Sequence, residues 1–156
     1  MSIERVKQFF AQYGMADKIM EFDVSSATVE LAAQAIGCEP QRIAKTLAFK
    51  VKDKAILIVV AGDARIDNRK FKERFSAKAK MLTPEEVTAY TGYAVGGVCP
   101  FAVNGDVEIF LDESLKRFHT VFPACGSSNS GIELTIAELE NYSRYTDWVD
   151  VCNGWR

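Results

Sequence analysis

Hydrophobic positions change their spacing several times along the chain, and each change marks an element. Val6, Phe9, Phe10 and Tyr13 recur at helical spacing and stop at Gly14, which predicts a first helix. A short strand is predicted at 19–22. Helical spacing returns over 27–36, with Leu31, Ala32, Ala35 and Ile36 inward and Gly37 as the stop. The period then falls to two. Residues 44–51, a tight turn at Lys52-Asp53-Lys54 and residues 55–60 read as a hairpin, and its second arm is apolar on both faces, as in a central strand. Asp67 caps the next helix, which places Phe71 and Phe75 one turn apart on its buried side. Thr83-Pro84-Glu85-Glu86 is a helix start with a capping box, and Thr135-Ile136-Ala137-Glu138 repeats the pattern. Further strands are predicted at 107–111, 119–124 and 132–134. This order predicts an α+β or mixed α/β fold, a single domain over 1–156 with a central mixed, largely antiparallel sheet flanked by helices. Regular βαβ alternation is missing, and no Gly-x-Gly-x-x-Gly or phosphate-loop motif occurs, which argues against dinucleotide or nucleoside triphosphate binding.

Composition adds limits. With 48% hydrophobic and 26% charged residues, the 156-residue chain is of the folding type. Its longest apolar run, 55–61, is far short of the roughly 20 residues of a membrane helix, so no membrane partner is expected. Met1-Ser2-Ile3-Glu4-Arg5 lacks a signal-peptide pattern, which predicts a cytoplasmic protein. Cys38, Cys99, Cys125 and Cys152 form no Cys-x-x-Cys pair, and His119 is the single histidine. Neither a disulfide framework nor a metal site is expected, and no cofactor is implied.

The net charge of −2 conceals an uneven distribution. Residues 1–64 are neutral overall, with 8 basic and 8 acidic side chains. Residues 65–80 hold 7 basic and 2 acidic side chains, whereas 81–156 hold 4 and 11. Arg69, Lys70, Lys72 and Arg74 lie on or near the outer faces of the predicted helix after Asp67. They form either a solvated face or a phosphate-docking surface.

Three stretches could carry chemistry. Lys45 is in phase with Ile43, Leu47, Phe49 and Val51. A lysine so placed either reaches water from a strand end or lines a cleft where it holds a phosphate or a developing negative charge. Thr91-Gly92-Tyr93 through Gly96-Gly97-Val98-Cys99-Pro100 is a loop whose backbone can approach a ligand, or a plain connection. Gly126-Ser127-Ser128-Asn129-Ser130-Gly131 is an ordinary turn or a polar rim that recognises a substrate. His119, between Phe118 and Thr120, reads as a core or strand histidine rather than a base. No nucleophilic triad can be assembled from the spacing.

Together, Arg42-Ile43-Ala44-Lys45-Thr46-Leu47, the 91–100 block and the 126–131 loop leading into Ile132-Glu133-Leu134 resemble the YbaK/EbsC family. That family contains the prolyl-tRNA synthetase editing domain and its free-standing relatives. The resemblance runs over nearly the whole chain and implies an aminoacyl-tRNA deacylase of YbaK-like fold. Its expected partners are the acceptor end of aminoacyl-tRNA and prolyl-tRNA synthetase. It implies that Lys45 is the functional lysine. Thr46, Gly96, Gly97, Val98, Cys99 and Pro100 would bind substrate, as would Gly126, Ser127, Ser128, Asn129 and Gly131. Cys99 is expected as a pocket wall and not a nucleophile. Arg69, Lys70 and Arg74 would contact the tRNA backbone. Relatives often carry Gly-x-Arg-Gly in the third block; its absence here leaves open which amino acid and which tRNA are served. The expected substrates are alanine, cysteine or serine on tRNA-Pro. A non-catalytic tRNA-binding module and a hydrolase of another activated acyl ester are the alternatives.

Overall fold

Residues 2–156 are described in a computed structural model. Helix α1 (Ser2–Ala11) and strand β1 (Met20–Glu21) lead to α2 (Val29–Ile36), then to β2 (Ile43–Val51) and β3 (Lys54–Ala61). Strand β4 (Arg65–Ile66), α3 (Asn68–Phe75) and α4 (Pro84–Thr91) follow. The second half holds β5 (Glu108–Asp112), β6 (Thr120–Pro123), β7 (Ser130–Gly131), β8 (Leu134–Thr135), α5 (Ile136–Ser143), β9 (Asp147–Val149) and β10 (Cys152–Asn153).

The β2–β3 hairpin organises the molecule. Its strands pair antiparallel from Ala44 against Ala61 to Val51 against Lys54. Lys52 and Asp53 between them both take positive φ, 49° and 68°, the turn whose twist suits a two-residue hairpin. Strand β3 is buried from Ala55 to Ala61, which accounts for its missing alternation. The six-stranded sheet runs β8-β6-β2-β3-β5-β9. It is mixed: β2–β3 and β6–β8 are antiparallel, and β2–β6, β3–β5 and β5–β9 are parallel. Parallel neighbours need long crossovers, here 62–107 between β3 and β5, and side-chain periodicity carries no record of the edge to which a strand returns. Two small ribbons, β1–β7 and β4–β10, flank the main sheet.

Local rules hold at the helix ends. Thr83 and Thr135 close capping boxes with Glu86 and Glu138, and Asp67 accepts the Arg69 and Lys70 N–H groups at the start of α3. Phe71 packs against Phe49, and Phe75 against Phe110, which fixes α3 to the sheet. Helix α2 starts later than predicted, capped by Thr28, whose hydroxyl accepts the Leu31 N–H. Its inward face is Ala32 and Ala33, packed with Ile43 and Phe122, while Leu31 is exposed. His119 is also exposed and precedes β6 rather than lying in the core.

Candidate active site

Strand β2 has an open stretch on its outer edge. At its start, Ile43 and Ala44 run beside Phe122 and Pro123 of β6. Near its end, Lys50 N–H donates to Lys80 C=O, and Leu82 N–H donates to Ala48 C=O. Residues 45–47, between these two seams, have no neighbouring strand on that side. Backbone groups alternate sides along a strand, so Thr46 shares the orientation of Ala48 and Lys50 and turns its N–H and C=O to the open edge. There lies a cleft of about 480 Å³, bounded by the segment leading into α2, the loop around Gly96 and the stretch from Met81 to Val87.

Lys45 is the one charged side chain lining this cleft among the described residues. Its Nζ donates to the Gly62 C=O at 3.4 Å. Burial lowers its pKa from the usual 10.5; Arg65 acts the same way, against the opposing influence of Cys152, Asp63 and Glu30. Gly62 can be only glycine here, because a Cβ would lie 2.0 Å from the Pro40 carbonyl oxygen and 2.9 Å from Val29 Cγ1. The carbonyl that tethers Lys45 is thus held by a close backbone approach.

The two loops singled out in the sequence meet behind the cleft. Gly97 N–H donates to Ala94 C=O at 3.0 Å, closing a turn in which Gly96 takes φ of 94°. A Cβ on Gly97 would lie 2.8 Å from Ser127 Cα and 2.9 Å from the Gly126 carbonyl carbon, so the loops stack backbone on backbone. Residues 22–28 are a third component that the sequence reading missed. Phe22 N–H donates to Asn129 C=O at 2.8 Å, and Ser26 N–H to Ser128 C=O at 2.6 Å. The Asn129 amide returns a bond to Phe22 C=O at 3.0 Å. Nothing in the spacing of Ser25 and Ser26 signals this, because the partner lies about a hundred residues away.

Of the residues expected to bind substrate, Thr46, Gly96 and Val98 line the cleft with Lys45. Gly97, Gly126, Ser127, Ser128, Asn129 and Gly131 do not; they form the support behind it, and Ser130 is the member of that loop that reaches the lining. Cys99 and Pro100 are not pocket walls. Both are buried, with the Cys99 thiol directed to the Phe101 carbonyl that also accepts the Tyr93 hydroxyl. Burial pushes the Cys99 thiol up to about 12, which removes it as a nucleophile. The wall is supplied instead by Met81, Leu82, Val95 and Phe122.

The expected tRNA-backbone residues each have an acidic partner within the fold. Arg69 pairs with Glu73 at 3.1 Å, Lys70 with Asp150 at 3.2 Å and Arg74 with Asp147 at 3.3 Å. Lys70 also donates to Cys152 C=O at 3.0 Å. Among the described residues no group of three or more His, Cys, Asp or Glu is arranged to hold a metal ion. Among the described residues the cleft therefore offers a cation, the outward Thr46 N–H and apolar walls, with no carboxylate or imidazole as a side-chain base. That equipment suits attack by water on an already activated carbonyl.

The model of the aminoacyl-tRNA editing domain matches residues 23–142, from the segment before α2 to α5. This chain belongs to that family. The editing domain is 53% identical over 156 residues to the uncharacterized protein YwhH of Bacillus subtilis strain 168, covering 99% of each. It is 32% identical over 125 residues to the proline–tRNA ligase of Geobacillus sp. strain WCH70, covering 80% of this chain and 22% of the ligase. The editing domain thus spans about a fifth of the ligases it matches. A crystal structure of a protein provisionally described as a trans-editing enzyme for prolyl tRNA synthetase superposes with a TM-score of 0.87 at 32% identity, over 98% of both chains. The activity of an editing domain is aminoacyl-tRNA deacylation, a carboxylic ester hydrolysis. No described helix is long and apolar enough to cross a membrane.

Proposed function

We propose that this editing domain acts in trans, in the cytoplasm, clearing tRNA-Pro that carries a small wrong amino acid such as alanine, cysteine or serine. Prolyl-tRNA synthetase would be the source of the mischarged substrate and a working partner. The likeness to proline–tRNA ligase and to the trans-editing structure supports the choice of tRNA. The observation that carries the site is Lys45, the sole charge among the described residues that line an apolar cleft at the open edge of β2.

Lys45 engages the terminal phosphate or the ester region and anchors the 3′ end. Backbone N–H groups at Thr46, Gly96 and Val98 hold the carbonyl oxygen. Water adds to the ester carbon, and its proton passes through the vicinal ribose hydroxyl. The tetrahedral oxyanion collapses with loss of the ribose oxygen, which takes up the proton, leaving free amino acid and uncharged tRNA. No side-chain nucleophile is needed because the ester is already activated. The apolar walls set an upper size limit, since one methylene is worth about 1–3 kcal/mol in such a pocket.

Removing one preorganised donor to an oxyanion costs about 10²–10³ in rate. Lys45→Ala should lower single-turnover deacylation of mischarged tRNA-Pro by that order while the melting curve stays cooperative. A variant that clears the tRNA at the parent rate defeats the assignment.

A further inference from the structure

Polar side chains are few in the cleft, and most are already engaged. Lys45 donates to Gly62 C=O. The Thr28 hydroxyl accepts the Leu31 N–H as the cap of α2. The Ser130 hydroxyl is bonded to Ser127 at 2.7 Å. Two remain: Ser26 Oγ and Thr46 Oγ1 are both enclosed and have no hydrogen-bond partner among the described residues, and both residues line the cleft. Buried hydroxyls without partners are uncommon, and each one calls for an explanation. Two of them in one apolar cleft, one on each side of it, constitute a pair of unspent hydrogen-bonding groups.

Their placement separates them from the anchoring functions. Thr46 already presents its backbone N–H and C=O at the open edge, enough for an ester carbonyl and an α-amino group. Its hydroxyl is a third, independent group on a residue that lines the cleft. Ser26 sits opposite, on the segment that the 126–131 loop holds through the 2.6 Å bond from Ser26 N–H to Ser128 C=O. Its position is therefore set by backbone contacts, leaving its side chain free to serve a ligand.

We infer that Ser26 and Thr46 are specificity-determining residues that read a side-chain hydroxyl on the aminoacyl group, so that the enzyme prefers hydroxyl-bearing amino acids over apolar ones of similar size. This rests on the deacylase reading given above. The physical reason is an asymmetry. An apolar pocket separates a hydroxyl from a methyl or hydrogen poorly, whereas a site built to bond a hydroxyl rejects the analogue that leaves its groups unpaired. In this cleft, alanine leaves both hydroxyls orphaned, and serine or threonine satisfies at least one.

The test is single-turnover deacylation of one tRNA charged separately with serine, threonine and alanine, using the parent protein, Ser26→Ala and the near-isosteric Thr46→Val. The parent should clear the seryl or threonyl ester on the order of 10²-fold faster than the alanyl ester, the penalty for leaving a buried hydroxyl unpaired. Each variant should pull that ratio toward one. A parent that clears the alanyl ester as fast as the seryl and threonyl esters overturns the inference. So do variants that slow all three esters equally, because the hydroxyls then serve the shared amino or ribose groups. If the parent clears none of the three, the deacylase reading itself has failed, which is a separate outcome.

Discussion

At the scale of single residues, Lys45 is the group whose placement on a cleft was most legible. Its phase with Ile43, Leu47 and Phe49 is a property of the strand alone, and the structure adds the open edge that makes the phase useful. Ser26 was not legible, because its meaning depends on the loop at 126–131 that holds it. The lowered pKa of Lys45, caused first by burial, has a definite sign. The folded protein gives up this proton at a lower pH than the unfolded chain does. Between the folded-state value and 10.5 the unfolded chain binds more protons, so this group makes stability rise with pH in that window. Ammonium-dependent deacylation falls over the same range. With ¹³C-labelled lysine and Lys45→Ala for assignment, the Lys45 ε resonance should titrate with a midpoint below 10.5. A midpoint at or above that value contradicts the burial of the ammonium.

At the scale of elements, the sequence determined what is local. Capping boxes at Thr83 and Thr135 stand where the pattern put them, and the tight turn expected over 52–54 closes within Lys52 and Asp53, with Lys54 already in β3. Parallel pairing and the small β1–β7 and β4–β10 ribbons were invisible, since each is a long-range choice between edges that side-chain alternation leaves equivalent. The glycine loop lies between these cases. Gly96 and Gly97 announced a close approach, but only the fold shows that Gly97 is pressed on residues 126–127 and Gly96 faces the cleft. Gly97→Ala forces a Cβ onto backbone atoms at 2.8–2.9 Å, which have little room to yield. It should cost about 1–3 kcal/mol in denaturant unfolding, as overpacking does, and slow deacylation at least tenfold by displacing the Gly96 turn. Gly105→Ala meets nothing within 4 Å and serves as the control. Equal behaviour of the two variants in both assays removes the loop contact from the account of the site.

At the scale of the molecule, the uneven charge along the chain is folded into a more even surface. The basic segment at 65–80 and the acidic half that follows are brought together, with Asp147 and Asp150 lying on Arg74 and Lys70. The sequence located the cations but could not show that their partners return to them from some 75 residues away. Charge reversal at Arg74 therefore sets like charges together and tests stability more than binding. Lys72 and Lys78, which line an open hollow beside α3 together with the Arg69–Glu73 pair, have no ion-pair partner among the described residues and are better placed to meet phosphates. Each phosphate contact on duplex releases counterions and adds about 0.9 to the salt slope of binding. Lys72→Glu with Lys78→Glu should weaken binding of uncharged tRNA and reduce the slope of log K against log salt by about 1–2, with the melting temperature held. Arg74→Glu should lower the melting temperature and leave the slope close to that of the parent. If the double variant binds with the parent slope, the acceptor stem does not lie across α3, and the grip on tRNA is confined to the 3′ end at Lys45.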